Sequence, residues 1–170
     1  MSRLGIRTGI AEYFGGSTLT AAGWYQPTPL TAVGLAGVRA YYDDRIADNE
    51  YFTGLTDART GAVMCVHLED DSETRLEIGG VLDAPYNVSL FLFLLTLTPS
   101  PEDAQADRDD LVQAIRDRLR ADPTLGGLVL QAGEGPAGIR TSTPLPYFEP
   151  PATTRQNAVI SFTANTYPAG

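Results

Sequence analysis

YNVSLFLFLLTLT, residues 86–98, decides the fold. Odd positions give Phe91, Phe93, Leu95 and Leu97; even positions give Val88, Leu90, Leu92 and Leu94. A strand places alternate side chains on opposite faces, so both faces of this one are apolar and both need cover. The stretch therefore reads as the central strand of a sheet. One helix covers one face. A second helix, a second sheet or a neighbouring subunit must cover the other.

The helix follows at once. Ser100 stands where an N-cap belongs, Pro101 suits the first helical position, and Asp103 completes a pattern like a capping box. Leu111, Ile115 and Leu119 recur every fourth residue, with Ala104, Val112 and Ala114 beside them. Acids crowd the first turns, and Arg116, Arg118 and Arg120 crowd the last, as the helix dipole favours. The pattern predicts a one-sided amphipathic helix over 101–121, stopped by Pro123 and Gly126-Gly127, with its apolar stripe on the central strand.

Upstream, residues 3–14 place Leu4, Ile6 or Arg7, Ile10, Ala11 and Phe14 near one helical face before Gly15-Gly16, which predicts a short N-terminal helix. Gly5 and Gly9 weaken it by about 1 kcal/mol each relative to Ala. Residues 17–37 read as loop and contain Trp24 and Tyr25. VRAYY (38–42) and AVMCVHL (62–68) have strand composition, LEDDSETRLE (68–77) reads as a hairpin turning at 69–72, and DDRIADNEYFTG between them is an acidic loop. Downstream, LVLQA (128–132) reads as a short strand, 133–157 with its five prolines as loop, and AVISFTANT (158–166) as a half-buried strand with Ala158, Ile160 and Phe162 inward. The order α, several β, α, β, β argues a single α+β domain over 1–170 with a mostly antiparallel sheet. Its parts are an N-terminal helix to residue 16, a loop-rich segment over 17–60 and a core over 61–167.

At 170 residues such a domain buries roughly 70% of its unfolded surface and needs no staples. Twelve basic residues face twenty-one acidic ones, the net charge is −9, and there is no lysine. Gripping nucleic acid needs Lys/Arg patches to displace counterions, so this composition argues against wrapping DNA or binding an anionic membrane. An acidic surface is compatible with lying beside DNA without sticking to it. The start of the chain lacks the apolar core of a signal peptide, and Leu90–Leu95 is too short to span a bilayer, so the expected setting is a cytosol.

Signals for chemistry are sparse. Cys65 is the only cysteine, which excludes an intramolecular disulfide, and its apolar neighbours read it as a buried small hydrophobe. His67, the only histidine, is two residues on and shares a strand face with it, so a Cys–His dyad or a two-ligand metal site is the rival reading. No third ligand is in sequence. GEGPAG (133–138) matches G-x-G-x-x-G, but Pro136 removes an N–H and no helix can follow. The acidic pairs fall in predicted turns and on a helix's polar face. P-loop, G-x-S-x-G and H-E-x-x-H motifs are absent. These observations predict no enzyme, no cofactor and no metal.

DDLVQAIRDRLRADPTLGG, then LVLQAGEGP, then a final alternating strand ending in Tyr167, resembles the tail terminator proteins of long-tailed phages, the phage lambda type, with actinobacteriophage versions especially similar. The resemblance covers residues 60–167 and, loosely, the first 60. It implies a virion protein assembled in the host cytoplasm. Six copies would form a ring on the last ring of the tail tube, end its polymerisation and offer their other face to the head-proximal connector. DNA would pass through without specific binding. It transfers no catalytic residue. Within that frame Trp24, Tyr25, Tyr41 and Tyr42 are expected to contact the tube or a neighbour, and Asp43, Asp44, Asp48 and Glu50 to line a lumen or rim. Tyr147 and Phe148, held by Pro144, Pro146 and Pro150, are expected to form a rigid docking segment. The alternatives are a head–tail connector or stopper of the phage neck and a small soluble enzyme using carboxylates or Cys65 and His67. For each surface, the rival is that its residues only cap their own core.

Overall fold

The computed structural model describes residues 2–43, 60–71, 74–75, 82–83, 85–133, 138–150 and 152–166. Strand β7 (Pro85–Leu97) lies inside the sheet, antiparallel to β4 (Thr60–Asp71) on one side and to β11 (Thr153–Asn165) on the other. β3 (Leu35–Arg39) joins β4 in parallel, then β2 (Tyr25–Gln26) and β1 (Thr18–Leu19) extend the sheet antiparallel to its edge. Beyond β11 lies β10 (Tyr147–Glu149), so the strand order is β1-β2-β3-β4-β7-β11-β10. The domain is α+β, with a curled, mostly antiparallel sheet.

Both described helices cover the same face of this sheet. Helix α1 (Arg3–Gly15) is capped by Ser2, whose hydroxyl accepts the Gly5 N–H, and it buries Ile6, Ile10, Ala11 and Phe14. Gly15 lets it come close. A Cβ there would sit 2.6 Å from Tyr25 Cβ and 2.9 Å from Val38 Cβ, so only glycine permits this approach to β2 and β3. Helix α2 (Pro101–Ala121) has the expected span and caps, with Ser100 Oγ accepting the Asp103 N–H at 3.2 Å. It buries Leu111, Val112, Ile115 and Leu119 in the core with Leu90, Leu92, Leu94, Ala158 and Ile160. Each such side chain contributes about 1.5–3 kcal/mol on leaving water. The helices also clasp each other: Tyr13 donates to the Arg118 carbonyl at 3.1 Å, Arg118 donates to the Tyr13 carbonyl at 3.0 Å, and the guanidinium sits 4.4 Å from the Tyr13 ring centroid.

Four local readings of the sequence are corrected. The 17–37 segment is not all loop, because β1, β2, a 3-10 turn (Thr31–Val33) and β3 lie within it; strands of two residues leave no period to detect. VRAYY does not stay in the sheet past Arg39. Thr74–Arg75 (β5) pairs with Leu82–Asp83 (β6) in a separate ladder instead of folding back on β4. In the span 128–157 the described strands are Gln131–Ala132 (β8), Arg140–Ser142 (β9), β10 and the start of β11, which begins at Thr153, five residues before its alternation became clear.

Those last pieces form one irregular edge. β8, β9 and β10 follow each other along β11, all antiparallel, at 164–165, 159–161 and 153–155. The register shifts little between β9 and β10, so Thr143–Pro146 acts as a bulged break in a single strand. Pro144 and Pro146 supply no N–H there, which is why they are tolerated at an edge and hid the strand from a sequence reading.

Candidate functional site: the face of the sheet away from the helices

Cross-strand partners share a face. Arg39 pairs with Cys65, Cys65 with Phe91 and Phe91 with Val159, so these belong to the face away from the helices; Val38, Met64 and Leu92 belong to the other. The outer face carries a second, smaller core of Val63 and Cys65, covered by Trp24, Phe91 and Phe93. The outer face of β7 is thus covered in part by the protein's own chain, with Tyr42 against Phe91 and Phe93, while Leu97 at its end stays 43% exposed.

Arg39 holds the group together. It is 5% exposed and donates to Asp43 Oδ2 at 2.5 Å and to the Ala22 carbonyl at 2.8 Å. Its guanidinium lies 4.4 Å from the Trp24 ring centroid and 5.5 Å from that of Tyr41. Trp24 in turn lies on Gly37, where a Cβ would meet its ring at 3.1 Å. Tyr42 packs edge-on to Phe91 at 5.0 Å and tilted to Phe93 at 6.2 Å. The result is a plate of aromatic rings around a buried ion pair.

The plate gathers Trp24, Tyr41, Tyr42 and Asp43 from the residues singled out in the sequence. Tyr25 is not with them. Its partner Val38 faces the helices, and Tyr25 packs against the main core. Asp43 is 6% exposed, and its carboxylate is paired with Arg39. Tyr147 and Phe148 lie across the sheet on β10, 65% and 39% exposed. Asp44, Asp48 and Glu50 lie outside the described residues. Arg39 was missed by sequence reasoning. The available signal was a single arginine in an apolar strand with an aspartate four residues on, the pattern of an internal ion pair.

Cys65 is fully buried in this cluster. Burial pushes its thiol up to about 11; the Asp43 backbone N–H and the Arg39 charge oppose the shift, and the Asp43 carboxylate adds to it. Such a thiol is protonated at neutral pH and is a poor nucleophile. His67 shares the face but is exposed, with its ring 6.0 Å from Phe91.

One row further along, His67, Ser89, Ser161 and Arg140 are successive partners across four strands. Ser89 donates to Glu69 Oε1 at 2.5 Å and shares a 2.9 Å hydrogen bond with Ser161. A cavity of about 140 Å³ opens beside them, lined by Glu69, Asn87, Arg140, Ser161 and Thr163 among others. Ser89 gives its proton to a carboxylate, not to an imidazole, so the row is not a Ser–His nucleophile. Among the described residues no group of three or more His, Cys, Asp or Glu could hold a metal ion. The glycine-rich 133–138 stretch leads into strand β9, so no helix N-terminus stands behind it to receive a phosphate.

No family model matches the chain, and no curated protein matches it.

Proposed function

We propose that this chain is a structural ring subunit, a tail terminator of a long-tailed phage, and not an enzyme. One observation carries the reading. Cys65 is engaged in packing, and large apolar side chains stay exposed at both ends of the sheet, Leu19 at one and Leu145, Tyr147 and Phe148 at the other, besides Leu4, Tyr41, Tyr42, Leu97 and Leu130 elsewhere among the described residues. Exposed apolar groups at opposite ends suit a subunit flanked by copies of itself.

On this reading six copies sit on the last ring of the tail tube, stop its growth and present their other side to the head-proximal connector. The net charge of −9 and the absence of lysine support a channel through which DNA slides without binding. The test adds purified protein to growing tail tubes of the cognate phage and follows them by electron microscopy. The expected result is a ring at one tube end and an arrest of elongation. Tubes that grow unchanged, with no density at their ends, would overturn the proposal.

A further inference from the structure

We infer that copies of this chain join edge to edge, β10 of one pairing antiparallel with β1 of the next, so that one sheet continues around a closed ring. The inference rests on the ring reading above and names its joint.

Among the described residues the sheet is open, with β1 and β10 at the two ends of its strand order. An edge strand presents a row of backbone donors and acceptors and is a template for another strand. Both edges also expose large side chains: Leu19 is 56% exposed, Tyr147 65% and Phe148 39%. β1 has two residues and β10 three; β10 is the last of three pieces, with β8 and β9, that share the edge along β11, and Pro144, Pro146 and Pro150 remove N–H donors on either side of it.

Direction and facing agree with a second copy as the occupant. From β7 the strands alternate through β11 to β10; on the other side, β4 and β3 run parallel and β2 and β1 alternate. β1 and β10 therefore run in opposite senses, so a sheet continued without a flip joins them antiparallel. Leu19 pairs with Tyr25 and Tyr25 with Val38, which puts Leu19 on the helix face. Phe148 pairs with Thr154 and Thr154 with Thr96, the same face. Across the joint Leu19 and Phe148 become neighbours on one face, and Thr18 and Tyr147 on the other, a cross-strand contact that stabilises sheets.

A head-to-tail ring covers both edges of every copy with a single kind of joint, as the ring reading requires; β10 paired with another β10 would leave each β1 to a second kind of joint.

The test uses the full chain with Leu19→Glu and Phe148→Glu, both at exposed positions, each checked for an unchanged urea midpoint. Light scattering gives the mass. The wild type is expected to form a closed oligomer, and each variant alone a monomer. A 1:1 mixture of the two is expected to form a heterodimer, because each variant keeps the edge that the other lacks. A dimer of either variant alone would show like-with-like pairing and overturn the inference. So would variants that assemble as the wild type does, or a wild type monomeric at every concentration. A ring broken by both substitutions that never seats on tail tubes keeps the joint and removes the tail reading. Rings of unaltered assembly in both variants that still cap tubes do the reverse.

Discussion

Asp43→Asn tests the outer face most directly. The substitution keeps shape and removes one charge from a pair whose side chains are 7% and 5% exposed. Arg39 would keep its charge, its hydrogen bond to Ala22 and its place over Trp24, but would lose the carboxylate at 2.5 Å. Breaking a buried pair from one side costs roughly 3–5 kcal/mol, because an uncompensated charge is left behind. Asn keeps a hydrogen-bonding oxygen, so the expected cost lies at the lower end, about 3 kcal/mol. With a urea m-value of about 2 kcal/mol/M, the midpoint falls by about 1.5 M. Replacing both partners with apolar residues, Arg39→Met with Asp43→Leu, removes the stranded charge and is expected to stay within about 1 kcal/mol of the wild type. Trp24 is the only tryptophan, so its fluorescence reports the same face directly. A midpoint drop below about 0.3 M for Asp43→Asn would refute the reasoning, as would a double variant no better than the single one.

Further outcomes follow from other parts of the molecule. Leu119, 1% exposed, carries α2 onto the sheet, and Leu119→Asp is expected to cost several kcal/mol; a loss under about 0.5 kcal/mol in urea denaturation contradicts the packing. Cys65, raised to about 11 by burial, is expected to resist iodoacetamide at pH 8 in the folded protein and to react promptly in urea; equal rates would refute its burial. Its folded value lies above its unfolded one, so the associated stability is full below about pH 9 and is lost as pH rises toward 11. Asp122 is held below the ordinary carboxylate range, first by the Thr124 hydroxyl and then by the Gly126 N–H. Its support for the end of α2 is therefore present at neutral pH and lost as pH falls through that lowered value, and an NMR titration giving an ordinary value would contradict it.

The helices and the long strands were legible because each carries its own periodic signal. Leu111, Ile115 and Leu119 repeat at helical spacing, Ser100 and Pro101 mark the start, and the 86–98 run can be little but an interior strand. The outer face was legible only in part. Trp24 stood out as an aromatic in a loop, and Tyr41 and Tyr42 as the end of a strand-like run, but their meeting depends on β3 lying parallel to β4, a long-range pairing without a local signature. Tyr25, adjacent to Trp24, faces the opposite side, with Val38 and the main core. The edge along β11 was hidden for another reason. Its hydrogen bonds come from β11, so 140–142 and 147–149 need no strand propensity of their own, and the prolines around them read as loop.

The position of β11 between β7 and the edge pieces has a consequence for biogenesis. It is made after every other strand of the sheet it completes. From the end of β7 at residue 97 to the end of β11 at residue 165, roughly 70 residues must be added, about 3–14 s at ordinary translation rates. Throughout that interval the most apolar strand of the protein has one side with no partner. The nascent chain therefore spends seconds as an aggregation-prone half-sheet. Slowing translation between residues 97 and 165 should lower soluble yield.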